Sequence, residues 1–130
     1  MSKSISSNHM LIETVENMLA PLADGLPDVP ENPTMDDLQP FRICIDALDR
    51  AIIRLLNERV VCANVIGHIK KGSSAPVYDP SREKKVLDNV QRHNEGPLSD
   101  EAVRRLFERI IDETRAVERQ HYRKKGEDRR

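Results

Sequence analysis

Between Leu38 and Ile69 the apolar positions recur at alternating spacings of three and four: Leu38, Phe41, Ile45, Leu48, Ile52, Leu55, Cys62, Ile66 and Ile69, with Arg59 set into the same seam. That rhythm predicts one long helix with a partner-seeking stripe held over almost five heptads. Pro40 cannot sit deep inside a helix, so the regular part is expected from about Pro40 to Gly72, roughly 48 Å at 1.5 Å per residue. "GSSAPVY" then forms a loop. Asp79 followed by Pro80 is a helix start, a carboxylate capping free N–H groups ahead of a residue that lacks one. This second helix runs to about Asn94 with Val86, Leu87 and Val90 on one face, and Gly96-Pro97 closes it. Ser99 caps a third helix whose first turn carries Asp100 and Glu101, suited to its positive end. Its apolar face reads Val103, Leu106, Phe107, Ile110, Ile111, Thr114 and Val117.

These elements divide the chain into an N-terminal extension (1–35), a helical domain (36–122) and a charged tail (123–130). Pro21, Pro27, Pro30 and Pro33 break up the extension, leaving room for one short helix over residues 10–20. The fold class is all-α, with three helices in the domain and the longest first. The two shorter helices are too short to cover the seam of the long one, so a homodimer paired along the long helices is expected.

Composition narrows the function. The chain of 130 residues has 21 Lys plus Arg against 22 Asp plus Glu, a formal net charge of -1, which argues against a general nucleic-acid binder. Aromatic residues make up only 3%, with no Trp, so a base-stacking surface is not expected either. No stretch approaches the roughly 18 apolar residues of a membrane span, and Glu13 and Glu16 spoil the N-terminus as a signal-peptide core. The cytoplasm is the expected compartment. Cys44 and Cys62 fall on one predicted helix about 27 Å apart, beyond disulfide reach, and are expected as free thiols.

The informative positions are polar residues where apolar ones belong. Arg59 occupies the seam; Thr114 and Glu118 lie four apart on the third helix; Lys70 follows the last seam Ile; Arg42 sits in the first turn of the long helix; Arg82 and Glu83 open the second. Each has a plain structural explanation. Lys70 suits a helix C-terminus, Thr114 can bond back to its own backbone, and Arg42, Arg82 and Glu83 can be solvated surface. Glu118 can lie at the edge of its stripe, and Arg59 can snorkel along its stem. Yet an unpaired guanidinium in an apolar seam costs several kcal/mol. Several cations facing into a helical core form a pocket for a small, multiply anionic ligand, with Arg suited to bidentate carboxylate recognition.

Over about residues 38–122 the chain resembles the all-helical class of chorismate mutase. The likeness is carried by "FRICIDALDRAIIRLLNERVVCANVIGHIKK", "VYDPSRE" and "LFERIIDETRAVERQ", in that order and with the family's spacings. The resemblance implies two intertwined chains and two active sites, each completed by an arginine from the other chain, here Arg42. It implies that Arg59 binds a carboxylate, that Lys70 bonds the ether oxygen of the substrate, and that Asp79 and Glu83 hold its hydroxyl. Arg82 is implied as an additional active-site arginine and Thr114 as an aid to a carboxylate. Glu118 stands where relatives carry Gln or Glu as second donor to the ether oxygen. The implied reaction converts chorismate to prephenate in phenylalanine and tyrosine biosynthesis, with no metal or other cofactor. The rival readings are an isochorismate pyruvate-lyase-like enzyme, a non-catalytic regulatory dimer acting on an aromatic-pathway enzyme, and a plain coiled-coil protein. Two departures stand out: Pro40 lies two residues before Arg42, and the extension has no counterpart in the minimal family pattern.

Overall fold

The computed structural model describes residues 11–73, 76 and 78–128, with side chains through Gln120. Val77 of the "VYDPSRE" stretch, residues 1–10 of the extension and the side chains of the charged tail lie outside the described residues. Among the described residues there are four α-helices and no strand: α1 (residues 11–18), α2 (Leu38–Lys71), α3 (Pro80–Arg92) and α4 (Asp100–Asp128). Three helices were expected for the fold, and the fourth is the short helix of the extension. Its apolar spacing explains it: Leu11, Val15, Met18 and Leu19 share one face and are half-buried. A 3-10 turn at Ala20–Leu22 follows.

The chain divides into two compact units, Met1–Asn57 and Glu58–Arg130, with the boundary inside α2. In the first unit a second 3-10 turn, Met35–Asp37, leads into α2. It is held at its start by the Thr34 N–H, which donates to Asp37 Oδ2 at 2.7 Å. Pro40 therefore falls in the first turn of α2, where its missing N–H costs little. The buried positions of this unit are small, among the described residues: Cys44, Ala47 and Ala51. The larger seam residues one position further on, Ile45, Leu48 and Ile52, are 54%, 41% and 52% exposed. One position is a rotation of about 100° around a helix, so the stripe of large residues lies on a different face from the one that is covered.

In the second unit α3 packs against α4. Leu87, Val103 and Thr114 are its buried side chains. The connection between the two helices is short and tightly bonded. Asn94 Nδ2 donates to Leu98 O at 2.7 Å and to Asp100 Oδ1 at 2.9 Å, and Gly96 takes the positive φ of 79° that this reversal requires. Gln91 and Arg104 join the helices at 3.3 Å, and Arg104 lies 3.7 Å from Asp88. Both predicted caps are present: Asp79 Oδ1 accepts from Arg82 N at 3.1 Å, and Ser99 Oγ accepts from Ala102 N at 3.1 Å. α4 continues through residues 123–128, beyond the expected end of the third helix. No helix of the described residues is long and apolar enough to cross a membrane.

Candidate active site

The unit Glu58–Arg130 encloses a cavity of about 500 Å³, within the range that small-molecule sites occupy. The last three turns of α2 supply Arg59, Cys62, Ile66 and Lys70; the start of α3 supplies Asp79, Arg82 and Glu83; and α4 supplies Thr114 and Glu118. Seven of the eight expected site residues thus line one cavity. The eighth, Arg42, is an exposed residue of the unit Met1–Asn57 and is not among its lining.

Helical geometry explains the convergence. On α2, positions 59, 62, 66 and 70 repeat at intervals of three and four and so share a face; on α4, positions 111, 114 and 118 do the same. The seam that is apolar in the first half of α2 becomes polar where it meets this cavity. Thr114, one of the buried side chains, makes the expected bond back to its own helix and also accepts from Arg59. Its hydroxyl donates to Ile110 O at 2.8 Å, and its oxygen lies 3.4 Å from Arg59 Nη1. The threonine therefore anchors Arg59 beside the cavity, and a ligand carboxylate could replace it as the partner of that guanidinium.

Arg82 sits within the first turn of α3, where a cation is disfavoured by roughly 0.3–1 kcal/mol relative to an anion. Its placement makes sense if an anion occupies the cavity it lines. Lys70, in contrast, lies in the last turn of α2 beside His68 and Lys71, where the helix dipole favours it. Among the described residues no carboxylate pairs with Arg59, Lys70 or Arg82. Asp79 both caps α3 through its carboxylate and is among the residues that line the cavity.

Three further polar lining residues were not singled out from sequence: Tyr78, Arg115 and Arg119. Arg115 and Arg119 lie on the same α4 face as Ile111 and Glu118, which was the available signal, but they sit in a run of charges that reads as solvated surface. With them the lining holds five cations against the three carboxylates of Asp79, Glu83 and Glu118. The excess matches a doubly charged anion. Cys62 is a free thiol at the cavity wall, and Cys44 is a free thiol as well.

Comparison with known proteins agrees with this geometry. The family described as chorismate mutase type II matches residues 41–119, a stretch containing all eight expected residues. A bifunctional chorismate mutase/prephenate dehydratase from Neisseria gonorrhoeae is 51% identical over 87 residues, 66% of this chain and 24% of that protein. The chain thus spans about a quarter of the length of such bifunctional relatives. A chorismate mutase from Methanocaldococcus jannaschii is 28% identical over 88 residues, covering 67% of this chain and 89% of the archaeal one. Among solved structures, chorismate mutase (form II) from Thermus thermophilus superposes with a TM-score of 0.62 at 35% identity, over 64% of this chain and 94% of that one. With its family match spanning most of α2, all of α3 and most of α4, the chain belongs to the chorismate mutase type II family.

Proposed function

We propose that this chain is an isomerase that converts chorismate to prephenate, a step toward phenylalanine and tyrosine. The observation that carries the reading is the cavity in which Arg59, Lys70 and Arg82 line one space with, among the described residues, no carboxylate paired to them. Chorismate fits that charge, with two carboxylates, a ring hydroxyl and an ether oxygen. The reaction breaks one C–O bond and forms one C–C bond within a single molecule, so no group leaves and no cofactor is called for. The chain's contribution is geometry and charge. Arginines pinning both carboxylates hold the enolpyruvyl arm folded over the ring, which removes most of the entropic barrier. As the C–O bond stretches, negative charge grows on the ether oxygen, and the Lys70 ammonium is positioned to meet it. One preorganised donor of this kind commonly contributes about 3 kcal/mol. Asp79 and Glu83 hold the ring hydroxyl, whose single proton one of the two carboxylates accepts, and Glu118, in its carboxylic acid form, acts as the second donor to the ether oxygen.

The reading includes a homodimer. Ile45, Leu48 and Ile52 form an exposed apolar stripe on α2 that a second copy would cover. In such a dimer the partner's Arg42 completes each site. The helical domain (36–122) would carry the catalysis in the cytoplasm, flanked by the extension (1–35) and the tail (123–130). Incubating the purified protein separately with chorismate and with isochorismate, and identifying the products, tests the reading. Prephenate from chorismate is expected. Pyruvate released from isochorismate, with no prephenate from chorismate, would replace the mutase by a lyase.

A further inference from the structure

Arg115 differs from the other cations of the cavity because it is already paired. From α4 its Nη2 forms an ion pair with Glu83 Oε1 on α3, and its Nη1 lies 3.9 Å from Asp112 Oδ1. Its guanidinium carbon stands 4.9 Å from the centroid of the Tyr78 ring, just ahead of α3. The side chains of Arg115 and Glu83 are 36% and 26% exposed, so solvent screens the pair only in part. Glu83 and Arg115 also line a second cavity of about 190 Å³, with Glu108 and Asp112 on its wall. The two residues of the ion pair thus line both cavities.

We infer that Arg115 is a positioning residue: it fixes the Glu83 carboxylate toward the main cavity and ties the segment before α3 to α4 through Tyr78. The inference rests on the proposed mutase reading. A carboxylate has two oxygens, so Glu83 can hold Arg115 with one and accept from a substrate hydroxyl with the other. The arginine also offsets the charge of Glu83, which would otherwise repel a dianion entering beside it. A planar guanidinium suits both tasks, since its edge serves the carboxylate while its face lies over the ring.

The substrate hydroxyl takes no part in bond making or breaking. A contact to it is equally strong before and during reaction, so weakening it raises KM and spares kcat. Arg115→Met should raise the KM for chorismate about tenfold, the scale of one charge-assisted hydrogen bond, with kcat within about threefold of wild type. If Arg115 acts through Glu83, the same substitution made on a Glu83→Gln background should change KM less than about twofold. Arg115→Lys, which restores charge without the planar fork, should recover part of the loss. Circular dichroism and a thermal melt establish that each variant is folded. Should Arg115→Met fail to fold, Arg115→Lys decides, with a KM rise of about threefold expected and a wild-type KM overturning the inference. An unchanged KM in folded Arg115→Met would overturn it, as would an undiminished tenfold effect on the Glu83→Gln background, which would mean direct contact with substrate. A wild-type protein that makes no prephenate removes the mutase reading and this inference together, whereas an active wild type with an indifferent Arg115 removes the inference alone.

Discussion

Asn57 and Glu58 are neighbours on α2, yet the unit that ends at one and the unit that begins at the other use the same helix differently. In Met1–Asn57 the covered face of α2 is made of small side chains, Cys44, Ala47 and Ala51, while Ile45, Leu48 and Ile52 stand exposed. In Glu58–Arg130 the continuation of that exposed stripe carries Arg59, Cys62 and Ile66, with Lys70 one place beyond its end, and lines a cavity. A single heptad rhythm thus runs from an exposed apolar surface to the wall of a cavity. An apolar stripe can be covered by anything apolar of the right shape. A stripe that turns a guanidinium toward a cavity favours an anionic occupant, because desolvating a cation is costly unless it is paired. The contrast separates assembly from chemistry along one element, and substitutions can test whether that separation is real.

The largest effect is expected at Lys70. Lys70→Ala should lower kcat about 10²- to 10³-fold, as removal of one preorganised donor does, with a smaller change in KM. The opposite split from that of Arg115→Met would distinguish a group facing the reacting bond from one behind the hydroxyl. Arg42→Ala should also be nearly inactive, although Arg42 belongs to the other unit. After subunit exchange between these two variants, each heterodimer collects both lesions in one site and neither in the other, so activity should return. Absence of recovery after proven exchange would mean that Arg42 does not complete the partner's site.

Next in size is Ile52→Asp, which puts a charge into the exposed stripe. Sedimentation at micromolar concentration should show a monomer, and kcat/KM should fall at least about tenfold as the partner's Arg42 is lost. A folded monomer with wild-type activity would sever the link between stripe and site. Glu118 should give a subtler result. A side-chain amide donates a hydrogen bond whereas an ionised carboxylate only accepts. Glu118→Gln should therefore keep or raise kcat, while Glu118→Ala loses about tenfold, the scale of one hydrogen bond. Equal rates for the Ala variant and the wild type would place Glu118 outside the chemistry. The smallest catalytic effect belongs to deletion of residues 1–33, which supply none of the expected site residues. Its cost should fall on stability, a drop in Tm of about 5 °C from loss of the half-buried face of α1, with kcat retained.

How legible these features were in the sequence depended on how local their causes are. The caps at Asp79 and Ser99 were readable because a cap is a matter of a few adjacent residues. The convergence of Arg59, Lys70, Thr114 and Glu118 was readable because Arg59 and Thr114 interrupt an apolar rhythm and Lys70 and Glu118 lie at its edge, and their chemistry gained definition from the family resemblance. The covered face of α2 was not readable in the same way. Ile, Leu and Val dominate any periodic pattern, so the small residues at 44, 47 and 51 were overshadowed by the larger ones beside them. Arg115 escaped notice for a different reason. Its partners, Glu83 and Tyr78, come from other elements, and nothing within "ETRAVERQ" separates it from a surface charge. The extension yielded its helix at nearly the expected place, but a helix count limited to the domain left it out.

Asp79 has a consequence for redesign. Its carboxylate caps α3 through Arg82 N and the residue also lines the cavity, so a substitution meant to accept a differently decorated ring also loosens the helix that presents Arg82 and Glu83. Exchange for Ala would risk fraying the first turn, whereas Asn or Ser keeps an acceptor for the cap and changes only what the ligand meets. Variation at this position is therefore confined to a few residue types by the helix itself, whatever the ligand demands. Diversification of the site would proceed more readily at Tyr78 or Arg119, which line the cavity without capping a helix.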